Sequence, residues 1–161
     1  MPSAPIPSNE LERLAALRAY DILDSPPEKA FEDLTRIAGH LCQTPVVLVS
    51  LVDGERQWFK SRVGMEDVDT SRDVSFCAHA ILDQHHVLTV PDATKDPRFA
   101  DNPLVTGDFH LRFYAGAPLV SSTGHAVGAL CVIDHVPRQF SDAQRDALQV
   151  LGRQIVAQME L

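Results

Sequence analysis

The stretch Val46-Val-Leu-Val-Ser-Leu-Val52 constrains the fold more than any other. It is β-branched and apolar on both faces, broken only by Ser50, the pattern of a strand covered on both sides. Asp53-Gly54 follows as a hairpin signal. A second strand is expected over residues 57–63, where Phe59 and Val63 alternate with Lys60 and Arg62. That pattern leaves one face wet, with Trp58 on the charged side. A central strand needing cover on both faces demands two further layers. The 161 residues, 45% apolar and 22% charged, are enough for one domain with a substantial core.

Helical periods flank this strand. Leu11, Leu14 and Ala15 share one side of a short helix over residues 9–20. Ser25-Pro26-Pro27-Glu28 reads as a capping box opening a helix with Phe31, Leu34, Ala38 and Leu41 on one face, ending near Gln43. Residues 73–75 cap a brief helix over residues 76–82. A short strand, 87–90, leads into a long segment, 91–106, which Phe99, Leu104 and Val105 can anchor as an ordered lid. Residues 112–120 and 126–134 form a hairpin around Ser121-Ser-Thr-Gly124. Ser141 and Gln144 make a second capping box. Behind it Leu148, Leu151, Ile155 and Met159 repeat at helical spacing, as in a coiled-coil-like exit or a sheet-covering helix. Residues 1–8 read as a disordered or extended lead-in, and residues 9–161 as a single domain.

Several function classes are excluded. The net charge is −8, with 14 basic residues dispersed among 22 acidic ones, so no nucleic-acid surface is expected. No apolar run approaches the ~20 residues of a membrane span, and the start lacks a secretory signal. Cys42, Cys77 and Cys131 are an odd, scattered set without CxxC spacing, which points to a reducing cytoplasm and away from a zinc site. There is no nucleophile elbow and no phosphate-binding glycine loop. The chain is therefore expected to catalyse nothing itself.

Six stretches in order resemble GAF domains of the branch found in bacterial sensor histidine kinases and diguanylate cyclases. They are Leu14-Ala-Ala-Leu-Arg-Ala-Tyr-Asp-Ile-Leu-Asp-Ser-Pro-Pro-Glu28, Val49-Ser-Leu-Val-Asp53 with Gln57-Trp-Phe-Lys60, Asp73-Val-Ser-Phe-Cys-Ala-His-Ala-Ile81, Val90-Pro-Asp-Ala-Thr-Lys-Asp-Pro-Arg-Phe99, Phe113-Tyr-Ala-Gly-Ala-Pro-Leu119 and Gly128-Ala-Leu-Cys-Val-Ile-Asp134. The resemblance implies an α+β fold: a twisted, mainly antiparallel sheet of five to six strands, with terminal helices on one face. A short helix and lid would cover a ligand pocket on the other. It further implies a sensory module that binds an unidentified small molecule, forms a homodimer, and signals through its terminal helices to a downstream kinase or cyclase domain. Family ligands include cyclic nucleotides, bilins, haem and small metabolites. The Asn-Lys pair of the cyclic-nucleotide branch is absent here, and residues 101–114 hold no cysteine for a covalent bilin. The cofactor stays unassigned. The alternatives are a dimerisation module with a vestigial pocket, or a thiol-based redox enzyme resembling free methionine sulfoxide reductase. The latter family needs further lid cysteines, and none lies between Cys77 and Cys131.

The candidate ligand-binding residues are Phe76, Cys77, His79, Asp92, Arg98, Phe99 and Tyr114, with no catalytic or metal-binding set. Cys77 at a helix start would gain thiolate character, or simply pack. His79 would enter the pocket or meet a lid carbonyl. Within a charged lid of Asp92, Asp96, Arg98 and Asp101, Arg98 would clamp a ligand carboxylate or phosphate, or pair with a neighbouring Asp. Phe99 and Tyr114 are pocket walls. Phe113 and Tyr114 face opposite sides of a strand, and Tyr114 is assigned to the pocket. Cys131, with Val127 and Ile133 on its face, reads as core. His85 and His86, adjacent in a turn, diverge and form no metal site.

Overall fold

The computed structural model describes residues 3–161. Of the lead-in, residues 1 and 2 lie outside the described residues. Residues 3–7 have no regular secondary structure. Ser3 donates its hydroxyl to Asp73 at 3.2 Å, and Ala4 packs on the core beneath the lid.

The chain runs α1 (Glu10–Ala19), α2 (Lys29–Cys42), β1 (Val46–Val52), β2 (Arg56–Val63), β3 (Asp69–Ser71), α3 (Cys77–Ala80), β4 (Leu88–Val90), α4 (Pro103–Thr106), β5 (Phe113–Val120), β6 (Ala126–Asp134) and α5 (Asp142–Met159). The strands form one sheet in the order β3-β2-β1-β6-β5-β4, every pairing antiparallel. The α+β fold expected from the sequence is therefore present, with β3 as a strand that the sequence pattern did not reveal. All of β1 is buried, as its two-faced apolar pattern requires. Val47, Val49 and Leu51 face α1, α2 and α5, while Val46, Leu48 and Val52 face the lid. Between β1 and β6 the backbones touch closely: a Cβ at Gly128 would lie 2.0 Å from the Ser50 carbonyl.

Several local expectations are corrected. Ser25 does not cap α2, because Pro26 and Pro27 hold the chain extended up to Glu28, which occupies the cap position instead. The Ser25 hydroxyl donates to the Ile22 carbonyl and accepts from Lys60. In α1 the buried residues are Arg13 and Leu17, while Leu11 is exposed. In α2 the inward face carries Phe31, Thr35, Ala38 and Cys42, and Leu41 is turned half outward. The wet face expected on β2 is limited to its end: residues 57–61 are buried, while Arg62 and Val63 are exposed. Lys60 is the extra residue of a β-bulge, opposite the Val49–Ser50 step of β1. The bulge brings Ser61 to the helical face, and plain alternation from Trp58 places Lys60 there too. There its ammonium donates to Ser25 and the Pro26 carbonyl, pairs with Glu28, and lies 5.4 Å from the Phe31 ring. Trp58 is buried on that same face.

The Ser141–Gln144 capping box forms as expected. Leu148, Leu151 and Ile155 are buried against the sheet, so α5 is a sheet-covering helix rather than a coiled-coil exit. Each such side chain contributes about 1.5–3 kcal/mol by leaving water.

A buried ionic node joins α1 to the β1–β2 hairpin. Arg13 donates to the Val52 carbonyl at 2.7 Å and to Glu10 at 2.8 Å. Arg72 reaches the other Glu10 oxygen at 2.5 Å and the Asp53 carbonyl at 3.0 Å. Burial would raise the Glu10 pKa, but the hydrogen bonds and charges of Arg13 and Arg72 outweigh it and hold the pKa down to about 2. A carboxylate with a depressed native pKa stabilises the fold above its unfolded value. That stability drains as pH falls from about 4.5 towards 2. Glu10→Gln is expected to cost about 2 kcal/mol at neutral pH. Urea midpoints across pH should show the gap to wild type closing in that acid window; a gap constant with pH would refute the assignment.

Candidate functional site

The lid is built from short pieces, each closed by a side chain. Asp92 caps a 3-10 turn, Ala93–Lys95, accepting from the Thr94 amide at 3.1 Å. The Thr94 hydroxyl, donating to the same carboxylate oxygen at 2.6 Å, is the main cause that draws the Asp92 pKa down, and the two bonds fix the carboxylate at the turn rather than inside the recess. Asn102 caps α4 by accepting from the Leu104 amide at 2.9 Å, and donates to the Val74 carbonyl at 3.1 Å. This nearly buried Asn thereby ties the lid to the segment entering α3. Its Asn-Pro sequence at a helix start was a readable cap signal. Ser75, whose hydroxyl accepts from the Ala78 amide, holds the start of α3. Phe99, Val105 and Leu111 are buried beneath, so residues 91–107 do close over the sheet.

The recess expected under this lid is filled by the chain itself. Phe76 and Phe99 stack with centroids 4.0 Å apart, and Tyr114 lies 5.2 Å from Phe76. Tyr114 faces the lid, as the alternation along β5 implied, while Phe113 lies on the helical face against Phe140. The Tyr114 hydroxyl folds back over Gly116, where a Cβ would stand only 2.2 Å from it. Cys77 Sγ meets the same hydroxyl at 3.1 Å. Burial, followed by the charges of Cys77 and Cys131, pushes the Tyr114 pKa well up. Cys131 and Ile133 share this lid-side core, but Val127 does not. A bulge between β5 and β6 leaves Val127 unpaired and turns it to the helical face. Gly116→Ala should cost about 1–3 kcal/mol by overpacking. Denaturant unfolding of Gly116→Ala, Tyr114→Leu and the double variant checks this. Most of the alanine penalty should vanish once Tyr114 is shortened; simple additivity would contradict the contact.

Open space remains at the margin, between α3, β4 and the lid. A cleft of about 560 Å³ is lined by His79, Leu82, Val87, Leu88, Thr89 and Arg98, among others. His79 sets its ring edge on Phe99, with centroids 4.8 Å apart. Partial burial, then the charge of Arg98, lowers its pKa and favours the neutral ring. Arg98 is braced by Asp96 through Nε at 3.0 Å and Nη2 at 2.7 Å, and its guanidinium lies 5.0 Å from the Phe99 ring centre. The expected pairing with a neighbouring Asp is thus present, while Nη1 carries no hydrogen bond to the described residues. Thr89 borders the cleft only at the edge of β4: it pairs with Ala115 of the helical face, and its buried Oγ1 has no partner among the described residues. Sequence reasoning missed Leu82, Val87 and Leu88, since apolar residues of a short strand and helix read as core.

Of the candidates, then, Phe76, Cys77, Phe99 and Tyr114 meet in the packed interior. His79 and Arg98 meet at the cleft, and Asp92 stands apart as a cap. His86 pairs with Asp83 at 2.9 Å and lines this cleft, whereas His85 lines a separate groove beside α5. Among the described residues no group of three His, Cys, Asp or Glu converges as a metal site. The cleft's chemistry suits a compact molecule with a polar end at Arg98 and His79 and an apolar body along Leu82, Val87 and Leu88.

Comparison with known proteins agrees with this architecture. A family profile described as GAF domain matches residues 26–159. A cyclic di-GMP phosphodiesterase of Pseudomonas aeruginosa is 44% identical over 138 residues, covering 86% of this chain and 23% of the relative. The chain thus spans under a quarter of that protein's length. Among solved structures, the GAF domain of an Acinetobacter phosphoenolpyruvate-protein phosphotransferase superposes with a TM-score of 0.69 and 19% identity, covering 92% of this chain and 93% of that one. A domain of a two-component sensor histidine kinase from Sinorhizobium meliloti gives 0.64 and 13%, covering 83% and 90%. Among the described residues no helix is long and apolar enough to cross a membrane.

Proposed function

The chain belongs to the GAF domain family, a bacterial signalling fold here, and from that premise we propose that it is a cytoplasmic sensory module. It holds a small molecule in the cleft of His79 and Arg98, and passes occupancy to an output domain in the same protein. It performs no chemistry on the ligand. The observation that carries this reading is the open cleft beside the lid, where the guanidinium of Arg98 and the ring of His79 stand together over an apolar wall. The guanidinium is held by Asp96 and Phe99 before any ligand arrives, which lowers the entropy lost on binding.

The relay is supported by a latch between the chain's two ends. Tyr20, just past α1, donates to Glu160 at 2.6 Å, and Glu160 also accepts from the Ser122 amide at 3.0 Å. Helix α5 therefore ends tied to both α1 and the β5–β6 turn. The relative named as a cyclic di-GMP phosphodiesterase supports an output domain of cyclic-dinucleotide signalling; the sensor kinase likeness supports a histidine kinase instead.

One observation favours the second reading, a dimerisation module with a vestigial pocket: the interior recess is filled with aromatic side chains. Exposed Ile37 and Leu41, one turn apart on α2, would then meet a second copy. Amide chemical-shift mapping with a library of small metabolite-like compounds separates the two. Sensing predicts hits clustered on His79, Leu88 and Arg98, weakened about tenfold or more by Arg98→Ala. A library that leaves those amides unmoved, with light scattering showing a dimer broken by Leu41→Glu, would transfer the assignment to the second reading.

A further inference from the structure

We propose that Cys77 and Cys131 form a dithiol pair that peroxide converts to a disulfide, making the floor of the lid a redox modification site. The pairing is invisible along the chain, because 53 residues separate the cysteines and no CxxC spacing links them. The sheet brings them together in three steps. Gly116 on β5 is the ladder partner of Cys131 on β6. Directly opposite residues of an antiparallel pair stand about 4.5–5.5 Å apart. The Tyr114 hydroxyl lies over Gly116, and hence beside the Cys131 side chain. Cys77 Sγ in turn sits 3.1 Å from that hydroxyl. Helix α3 can descend this far because its neighbours are small: Ala78 and Ala80 within it, Gly116 and Ala129 beneath.

The electrostatics agree with this geometry. The Cys77 pKa is drawn down, first by its hydrogen bond with Cys131, against burial, with help from Tyr114 and Ser50. Burial, with the bond to Cys77, pushes Cys131 up. Cys77 is the nucleophile because it rides on α3, the single turn whose opening admits peroxide, whereas Cys131 stays in the ladder of β6 as its resolving partner. Cys77 sulfur attacks one peroxide oxygen, the O–O bond breaks, and water departs, leaving a sulfenic acid. Cys131 sulfur then attacks the sulfenic sulfur, the S–O bond breaks, and its proton leaves in a second water. The net change is two thiols and one peroxide to one disulfide and two waters. Both thiols are buried, so oxidation waits on opening of α3, a single turn of helix held by the Ser75 cap. The disulfide removes the Cys77–Tyr114 hydrogen bond, and so disturbs the Phe76–Phe99 stack that supports Arg98 and the cleft.

The test is oxidation of the native protein with hydrogen peroxide, a catalase quench, then denaturation with an alkylating agent and intact-mass analysis. Of the three thiols, one should remain reactive. The mass before alkylation should fall by two hydrogens, and digestion should yield a Cys77–Cys131 linked peptide that dithiothreitol separates. Cys42 is the internal control: it lies in the helix-side core, and burial pushes its pKa up to about 11. Three titrating thiols after peroxide, a linkage that includes Cys42, or stable oxygen addition to Cys77 in wild type would each overturn the pairing. So would an unchanged loss of two hydrogens in Cys131→Ala.

Discussion

The structure depends on the demand of β1 to be covered on both faces. A strand whose every residue is buried cannot lie at an edge or face water, so the sheet must extend past it on both sides and carry a layer above and below. Its neighbours comply: β2 and β6 flank it, and Gly128 lets the β6 backbone approach the Ser50 carbonyl. The covered helical face even takes in Lys60 of β2, whose charge is satisfied by Ser25, Pro26 and Glu28.

The two covering layers are unlike, and that asymmetry divides the labour of the fold. On one face α2 and α5 lay long apolar stripes across the sheet, closed by a capping box and by the Glu10–Arg13–Arg72 node. On the other face no helix among the described residues is longer than about one turn, and each piece is held by a single polar side chain: Ser75, Asp92 or Asn102. Short elements with few backbone bonds open more readily than long helices. The lid side is therefore the one proposed above to respond to a ligand or an oxidant. The helical side, whose ends are latched through Tyr20 and Glu160, is suited to carrying the consequence outward.

Legibility along the chain followed the range of the interactions involved. The span of β1, the span of β6 and the capping box of α5 could be read because each depends on residues within a few positions of one another. Tyr114 could be assigned to the lid face because strand alternation is strictly local. The inward faces of α1 and α2 could not, since Arg13 and Thr35 are buried by partners far off in sequence. Arg13 reaches Val52, and Thr35 shares a hydrogen bond with Ser61. Among site residues, the pairing of Arg98 with a neighbouring Asp was readable, since Asp96 is two positions away, whereas the meeting of His79 with Phe99 exists only once α3 and the lid are in place.

The sequence by itself determined the element types, the two-layered covering of an antiparallel sheet and the family resemblance, all of which rest on periodicity, caps and turns that act over a few residues. Tertiary structure alone decided that the recess under the lid is filled by Phe76, Phe99 and Tyr114, and that the open cleft lies beside it at His79 and Arg98. It also decided that Cys77 has a thiol neighbour. Two bulges shift the register of which side chains face inward, and a ladder partner stands within a few ångströms whatever the length of chain between. Neither effect leaves a local trace in the order of the residues.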